Sequence, residues 1–278
     1  MKETEFKALI RLLDDEDPGV EAHVKEKLLS LGQEGIPKLE MEWEQTEDEF
    51  VQGRIADIIH IIQTQDISDL LVEWCQQGGR SLLRGWFLVT QFHFPELDFV
   101  QFKNEISRLV NRIWLELRSH MNLPEKLRTV NRLLFNNEVY RGTSAKKLKV
   151  DSFLLNRVID TKRGSPLGLG LLYLIICEEL ELPVQGILLP NYFILTHQAG
   201  ENEFFIDPYH KGTFFLRTDL ERSLKQRKIQ DDPKYYKPSG KLPIIRALIR
   251  SLIRLHQQGG SEDKVKSLRL LLEKIEED

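Results

Sequence analysis

The stretch that decides the fold is RGSPLGLGLLYLIICEELELPVQGILLPNYFIL, residues 163–195. It opens with a helix start signal, Ser165 at the N-cap and Pro166 at the first helical position. Leu167, Leu169, Leu171, Leu172, Leu174, Ile175 and Ile176 then make the segment apolar on nearly every face as far as about Glu181. A helix without a polar face has to be buried, so this one is predicted to be the axis of a domain. After it the pattern changes. VQGILLP, NYFILTH, EFFIDP and TFF are short β-branched or aromatic runs parted by turn residues, and they predict antiparallel strands with a polar turn between NYFILTH and EFFIDP. A buried helix followed by a small meander gives an α+β fold, predominantly α once the flanking segments are counted.

Working outward, the text before this stretch is helical. From Asn131 a helical part gives way to a loop and then to a second helix ending near Lys162. Further upstream, DFVQFKNEISRLVNRIWLELRS and LPEKLRTVNRLLFN keep the helical period through Ile106, Leu109, Ile113 and Leu117. In the first hundred residues the chain matches itself at a shift of 31 positions: Asp17 falls on Asp48, Val20 on Val51, Leu28 on Ile59, Leu31 on Ile62, Ile36 on Ile67, Leu39 on Leu70 and Trp43 on Trp74. Asp17 with Pro18, and Asp48 in the second copy, mark helix starts, so each copy is predicted to be a helix–turn–helix pair. The period is shorter than the ~40 residues usual for HEAT-type repeats, which these units otherwise resemble. A third copy begins at Arg80–Phe94 and decays.

After the strands, DLERSLKQRKIQ and the segment from Asp231 to the end predict three helices. The second carries an apolar stripe through Leu242, Ile245, Leu248, Ile249, Leu252 and Ile253, with Arg246, Arg250 and Arg254 in a row on another face. Gly259 and Gly260 break the chain before a last helix capped by Ser261, and the two resemble one tetratricopeptide-type hairpin that packs on the core. The expected divisions are 1–94 for the repeats, 95–232 for the α+β core and 233–278 for the hairpin.

Composition bounds the function. The 278 residues are 41% hydrophobic and 29% charged, as in ordinary globular proteins. No apolar run approaches the ~20 residues of a membrane span, and MKETEFKALI lacks the order of a signal peptide; a cytoplasmic protein with no membrane role is expected. The net charge of -4 conceals an acidic head, with 15 acidic against 6 basic residues in 1–50, and a basic tail, with 12 basic against 4 acidic in 211–256. The KQRK and KYYK segments and the arginine row invite nucleic acid, yet no recognition motif accompanies them and the chain is acidic overall, so no nucleic-acid partner is expected. Cys75 and Cys177 lie far apart in helical contexts, and His23, His60, His93 and His120 are isolated. No metal or cofactor is expected.

The order and wording of RGSPLGLGLLYL, GILLPNYFIL and IDPYHKG resemble the bacterial transglutaminase-like proteins with a tetratricopeptide-type C-terminus, the invasion-regulator type, over about Asp69 to Glu273. The resemblance implies a papain-like core. In such a core a thiol at the head of the central helix is activated by a histidine on a strand, which an aspartate on the next strand orients. Active enzymes of this kind carry the cysteine two residues after a glycine, and here Gly164 is followed by Ser165 and Pro166. The relatives read proline–glycine–histidine–phenylalanine on the next strand, where this chain has Pro190, Asn191, Tyr192 and Phe193. The vestigial triad is thus Pro166, Tyr192 and Asp207, and only Asp207 matches.

Substitutes are few. Cys177 lies 11 residues beyond Pro166, roughly 16 Å along the helix, and is expected to be a buried structural thiol. His197 is at an odd offset from Tyr192 and faces the other side of its strand. Ser165 and His210 are the remaining candidates for a nucleophile and a base. Tyr192 is expected to donate to Asp207 and fill the histidine's space. The leading expectation is a non-catalytic transglutaminase-like protein that binds a protein partner through its repeats or its vestigial cleft. The alternative is a hydrolase or acyl-transfer enzyme using Ser165, His210 and Asp207.

Overall fold

The computed structural model describes residues 3–15, 17–198 and 203–276. They fall into two compact units, residues up to 70 with 91–96, and 71–90 with 97 onward.

The first unit holds α1 (Glu3–Arg11), α2 (Pro18–Leu29), α3 (Ile36–Gln45) and the leading part of α4 (Glu49–Gln76). Both expected starts carry side-chain caps: Asp17 Oδ1 accepts from the Gly19 N–H at 2.7 Å, and Asp48 Oδ1 from the Phe50 N–H at 2.8 Å. The first repeat copy is a helix pair turning at Gly32, whose φ of 56° lies in the left-handed region. The expected turn in the second copy does not form, because α4 runs through it as one helix of 28 residues. The reason is local. The left-handed Gly32 corresponds to Gln63, which does not favour that conformation, and apolar residues continue on both sides. Equivalent positions also differ in burial, with Leu39 fully buried but Leu70 39% exposed, and Trp43 42% exposed but Trp74 only 6%. Phe6, Leu9, Leu28, Leu39, Ile55 and Ile58 form the unit's core.

The second unit contains α5 (Leu82–Gln91), α6 (Phe99–Trp114), α7 (Leu123–Asn131), α8 (Leu155–Thr161), α9 (Pro166–Glu179), α10 (Arg217–Gln226), α11 (Lys241–Gln258) and α12 (Glu262–Glu276). Its strands are β1 (Arg141–Gly142), β2 (Arg163–Gly164), β3 (Gln185–Leu189), β4 (Tyr192–His197), β5 (Phe204–Asp207) and β6 (Thr213–Phe215). The last four form the expected antiparallel meander in the order β3-β4-β5-β6, with Ile187 opposite Ile194 and Leu195 opposite Ile206. The polar turn expected at 199–202 lies outside the described residues. A parallel pair, β1 with β2, was not legible, since two-residue strands carry no alternation. The second unit takes in α5 at one end and α11 and α12 at the other.

Every residue of α9 from Leu167 to Cys177 is buried, as a helix apolar on all faces requires. One side chain of the sheet seats closely against it. Phe193 is fully buried, and a Cβ at Gly170 of α9 would stand 2.2 Å from the ring, while one at Gly186 of β3 would stand 2.5 Å from it. Two glycines therefore make the slot for this phenylalanine. Elsewhere Tyr173 Oη donates to Asn131 Oδ1 at 2.8 Å, and Asn131 Nδ2 donates to the Gly212 carbonyl at 2.7 Å, which ties α9, α7 and the β5–β6 turn together. Trp86, fully buried, donates from Nε1 to the Phe153 carbonyl at 2.7 Å. At the C-terminus α11 buries Ile244, Ile245 and Leu248, and the chain turns at Gly259 and Gly260 into α12. No helix among the described residues is long and apolar enough to cross a membrane.

Candidate functional site

The head of α9 is built by Ser165. Its Oγ accepts from the Gly168 N–H at 2.9 Å, its own N–H donates to the Ser152 carbonyl at 2.8 Å, and the residue is completely buried. A hydroxyl held as a cap and closed off from solvent has no route to a substrate. Among the described residues no hydrogen bond joins Ser165 Oγ to a histidine.

Pro166, half-buried, begins the helix and opens onto a cavity of about 620 Å³. Leu167, the β3–β4 hairpin from Leu188 to Tyr192, Tyr235, and Arg250 and Arg254 of α11 share its lining. Helical spacing places the arginine row on one face of α11, and two of its members face the same cavity as Pro166, which spacing could not show because bringing α11 beside the β3–β4 hairpin is tertiary information.

Tyr192 and Asp207 meet as expected. The Tyr192 hydroxyl lies 3.0 Å from Asp207 Oδ2 and donates to it. His210 Nδ1 is 2.8 Å from the same oxygen and 3.1 Å from the tyrosine hydroxyl. Asp207 Oδ1 accepts from the backbone N–H groups of Tyr209 and His210 at 3.0 and 3.2 Å, which closes the short turn Pro208–His210. The carboxylate thus has a partner for each lone pair it presents, and its side chain is only 15% exposed. Burial, first, and then the charge and hydrogen bond of Asp207 push the Tyr192 hydroxyl far above its ordinary value, although the Arg227 guanidinium, 4.9 Å over its ring, opposes this. Tyr192 is therefore a hydrogen-bond donor at every physiological pH and not a base.

On the far side of Tyr192 a smaller cavity, about 270 Å³, is lined by Asp207, His210 and Arg227 together with Ile194, Phe215 and Leu224. His210 stands at its edge with the side chain 62% exposed. His197 is elsewhere, with Nδ1 2.7 Å from the Pro183 carbonyl. Cys177 is fully buried and burial pushes its thiol up, away from the thiolate form. Among the described residues no three His, Cys, Asp or Glu side chains converge to hold a metal ion.

Two expectations follow from the Tyr192–Asp207 bond. Tyr192→Phe should lower stability at neutral pH by roughly 1–2 kcal/mol, since Asp207 keeps its other partners. Unchanged stability in urea denaturation would remove the hydrogen bond from the account. The second concerns alkaline pH. Tyr192, Tyr173 and Cys177 are all raised by burial from ordinary values of 10.0, 10.0 and 9.0, so the folded chain holds protons that the unfolded chain releases. Their stabilisation is complete below pH 9 and is lost as pH climbs beyond the unfolded values. Stability plotted against pH from 8 to 11 should bend downward, and the Tyr192→Phe slope above pH 10 should be shallower by one proton.

A family model described as the Transglutaminase-like superfamily matches residues 100–250. A UPF0162 protein of Xylella fastidiosa (strain 9a5c) is 22% identical over 172 residues, which are 61% of this chain and 61% of that protein. Protein SirB1 of Salmonella typhimurium is 29% identical over 132 residues, 46% of this chain and 49% of its own. UPF0162 protein YchA of Escherichia coli (strain K12) is 25% identical over 118 residues, 42% and 43% of the two chains. The chain thus spans about three-fifths or less of the length of these curated relatives. No solved structure matches it.

Proposed function

The chain belongs to the transglutaminase-like superfamily, and from that premise we propose that it is a non-catalytic member whose cleft holds a segment of a partner polypeptide without cleaving or acylating it. One observation carries the reading: the side chain standing where the resemblance expects the catalytic histidine is Tyr192, and it donates to the remaining aspartate. A phenol locked in that bond cannot take a proton from a nucleophile. Pro166, at the nucleophile's place, has no nucleophilic atom to offer. The cavity of about 620 Å³ beside Pro166, lined in part by apolar side chains, supports the reading by a size suited to part of a peptide.

The test is an assay of the purified protein for amide hydrolysis and for amine incorporation into glutamine peptides, alongside capture of partners by wild type and by a variant that fills the cleft. No turnover with cleft-dependent capture is the expected result. A second reading has one observation in its favour, the 2.8 Å approach of His210 Nδ1 to Asp207, which would orient an imidazole base. Turnover that disappears in His210→Ala would install that reading, a hydrolase or acyl-transfer enzyme, in place of the first.

A further inference from the structure

We infer that the larger cavity recognises a free carboxylate on an apolar body, and that its natural source is the C-terminus of the partner polypeptide, with Arg254 receiving the α-carboxylate. The inference rests on the reading of the cleft as a polypeptide-binding site and adds to it which part of the polypeptide enters. The lining contains three cations, Lys234, Arg250 and Arg254, and no carboxylate. Two of the three are already neutralised: Lys234 Nζ lies 2.6 Å from Asp232, and Arg250 pairs with Glu276 at the end of α12. Arg254 differs. Its partner is the side-chain amide oxygen of Asn191, which carries no charge. Among the described residues Arg254 is thus the one cation of the lining without a carboxylate partner, and a single carboxylate is the complement of a single guanidinium.

Asn191 also fixes where that charge stands. It occupies the β3–β4 turn after Pro190 with φ of 56°, a left-handed conformation that asparagine tolerates better than most residues, and from there its amide holds Nη1. One guanidinium nitrogen so anchored leaves the others to form paired hydrogen bonds with a carboxylate. The lining is otherwise apolar in part, through Phe153, Leu167, Leu188 and Leu255. A chain end with an apolar last side chain satisfies both halves with one residue, whereas an internal apolar segment would leave Arg254 without its counter-charge.

The experiment uses the full chain and an array of eight-residue peptides ending in each pair of apolar residues, every peptide made both as the free acid and as the C-terminal amide, with octanoate as a separate probe. Affinity is read by fluorescence anisotropy. The expected result is a set of free acids that bind about tenfold or more tightly than their amides. That preference should vanish in Arg254→Gln and persist in Arg269→Gln, an exposed arginine of α12 outside the cavity. Equal binding of acids and amides would overturn the carboxylate inference and leave the polypeptide-binding reading standing. Failure of every peptide in both forms would overturn both, and Arg254-dependent binding of octanoate alone would replace the chain end with a free acyl carboxylate.

Discussion

Phe193→Ala is expected to destabilise the second unit by about 3–5 kcal/mol, among the largest effects of any single substitution at the site. The ring is fully buried and occupies the gap between Gly170 of α9 and Gly186 of β3. Because both flanking positions lack a side chain, neither can fill the void, and the cost should be that of a large aromatic truncation. Gly170→Ala tests the same slot from the other side. In the wild type its methyl would meet the ring at 2.2 Å and should cost about 1–3 kcal/mol by overpacking. Combined with Phe193→Ala it should cost less than the sum, because the methyl then fills part of the cavity. Urea denaturation of the two singles and the double gives the coupling. Additive costs, or a Phe193→Ala effect below about 1 kcal/mol, would show that the sheet is not held to α9 through this contact.

That slot marks where sequence reading reaches its limit. The buried helix was legible because an all-apolar run after Ser165 and Pro166 permits no other placement, and the four strands because turn residues punctuate them. The Tyr192–Asp207 bond was legible too, as the consequence of two polar groups facing each other on neighbouring strands once one had replaced a histidine. The glycines read only as permissive residues inside a helix and a strand. Their meaning, room for one ring, depends on which strand lies over α9. The second repeat copy failed for a related reason: similarity at a fixed shift reports shared ancestry or shared pattern, while the turn has a left-handed glycine, Gly32, that the second copy lacks. The arginine row fell between these cases. Its spacing showed one helical face, but only the packing of α11 shows that this face borders the cleft of Pro166 and that Glu276 and Asn191 take up two of its members.

Pro166→Cys should produce the largest change in reactivity. In the native wild type Cys75 and Cys177 are 5% and 0% exposed, so iodoacetamide should reach neither except through unfolding. A thiol at Pro166 would stand at the first position of a 14-residue helix, half-buried and open to the cavity. The unpaired N–H groups and dipole of a helix head favour the thiolate, which brings a cysteine from about 8.5 into the range of roughly 3.5–7.5. Alkylation at pH 7 should therefore be ~100-fold or more faster than in the wild type, confined to residue 166, with a pH midpoint below about 7.5. The loss of proline should lower stability by only about 0.4–1 kcal/mol. A midpoint at or above about 8.5 would show that Pro166 does not occupy an electrostatically active helix head, and the assignment of the vestigial nucleophile would fall with it. The same variant should still turn over no amide, because Tyr192, at the place of the base, keeps its own proton and donates it toward Asp207. Adding Tyr192→His puts an imidazole at the strand position of the base, so turnover by the single variant would mean that His210, already 2.8 Å from Asp207, serves as that base.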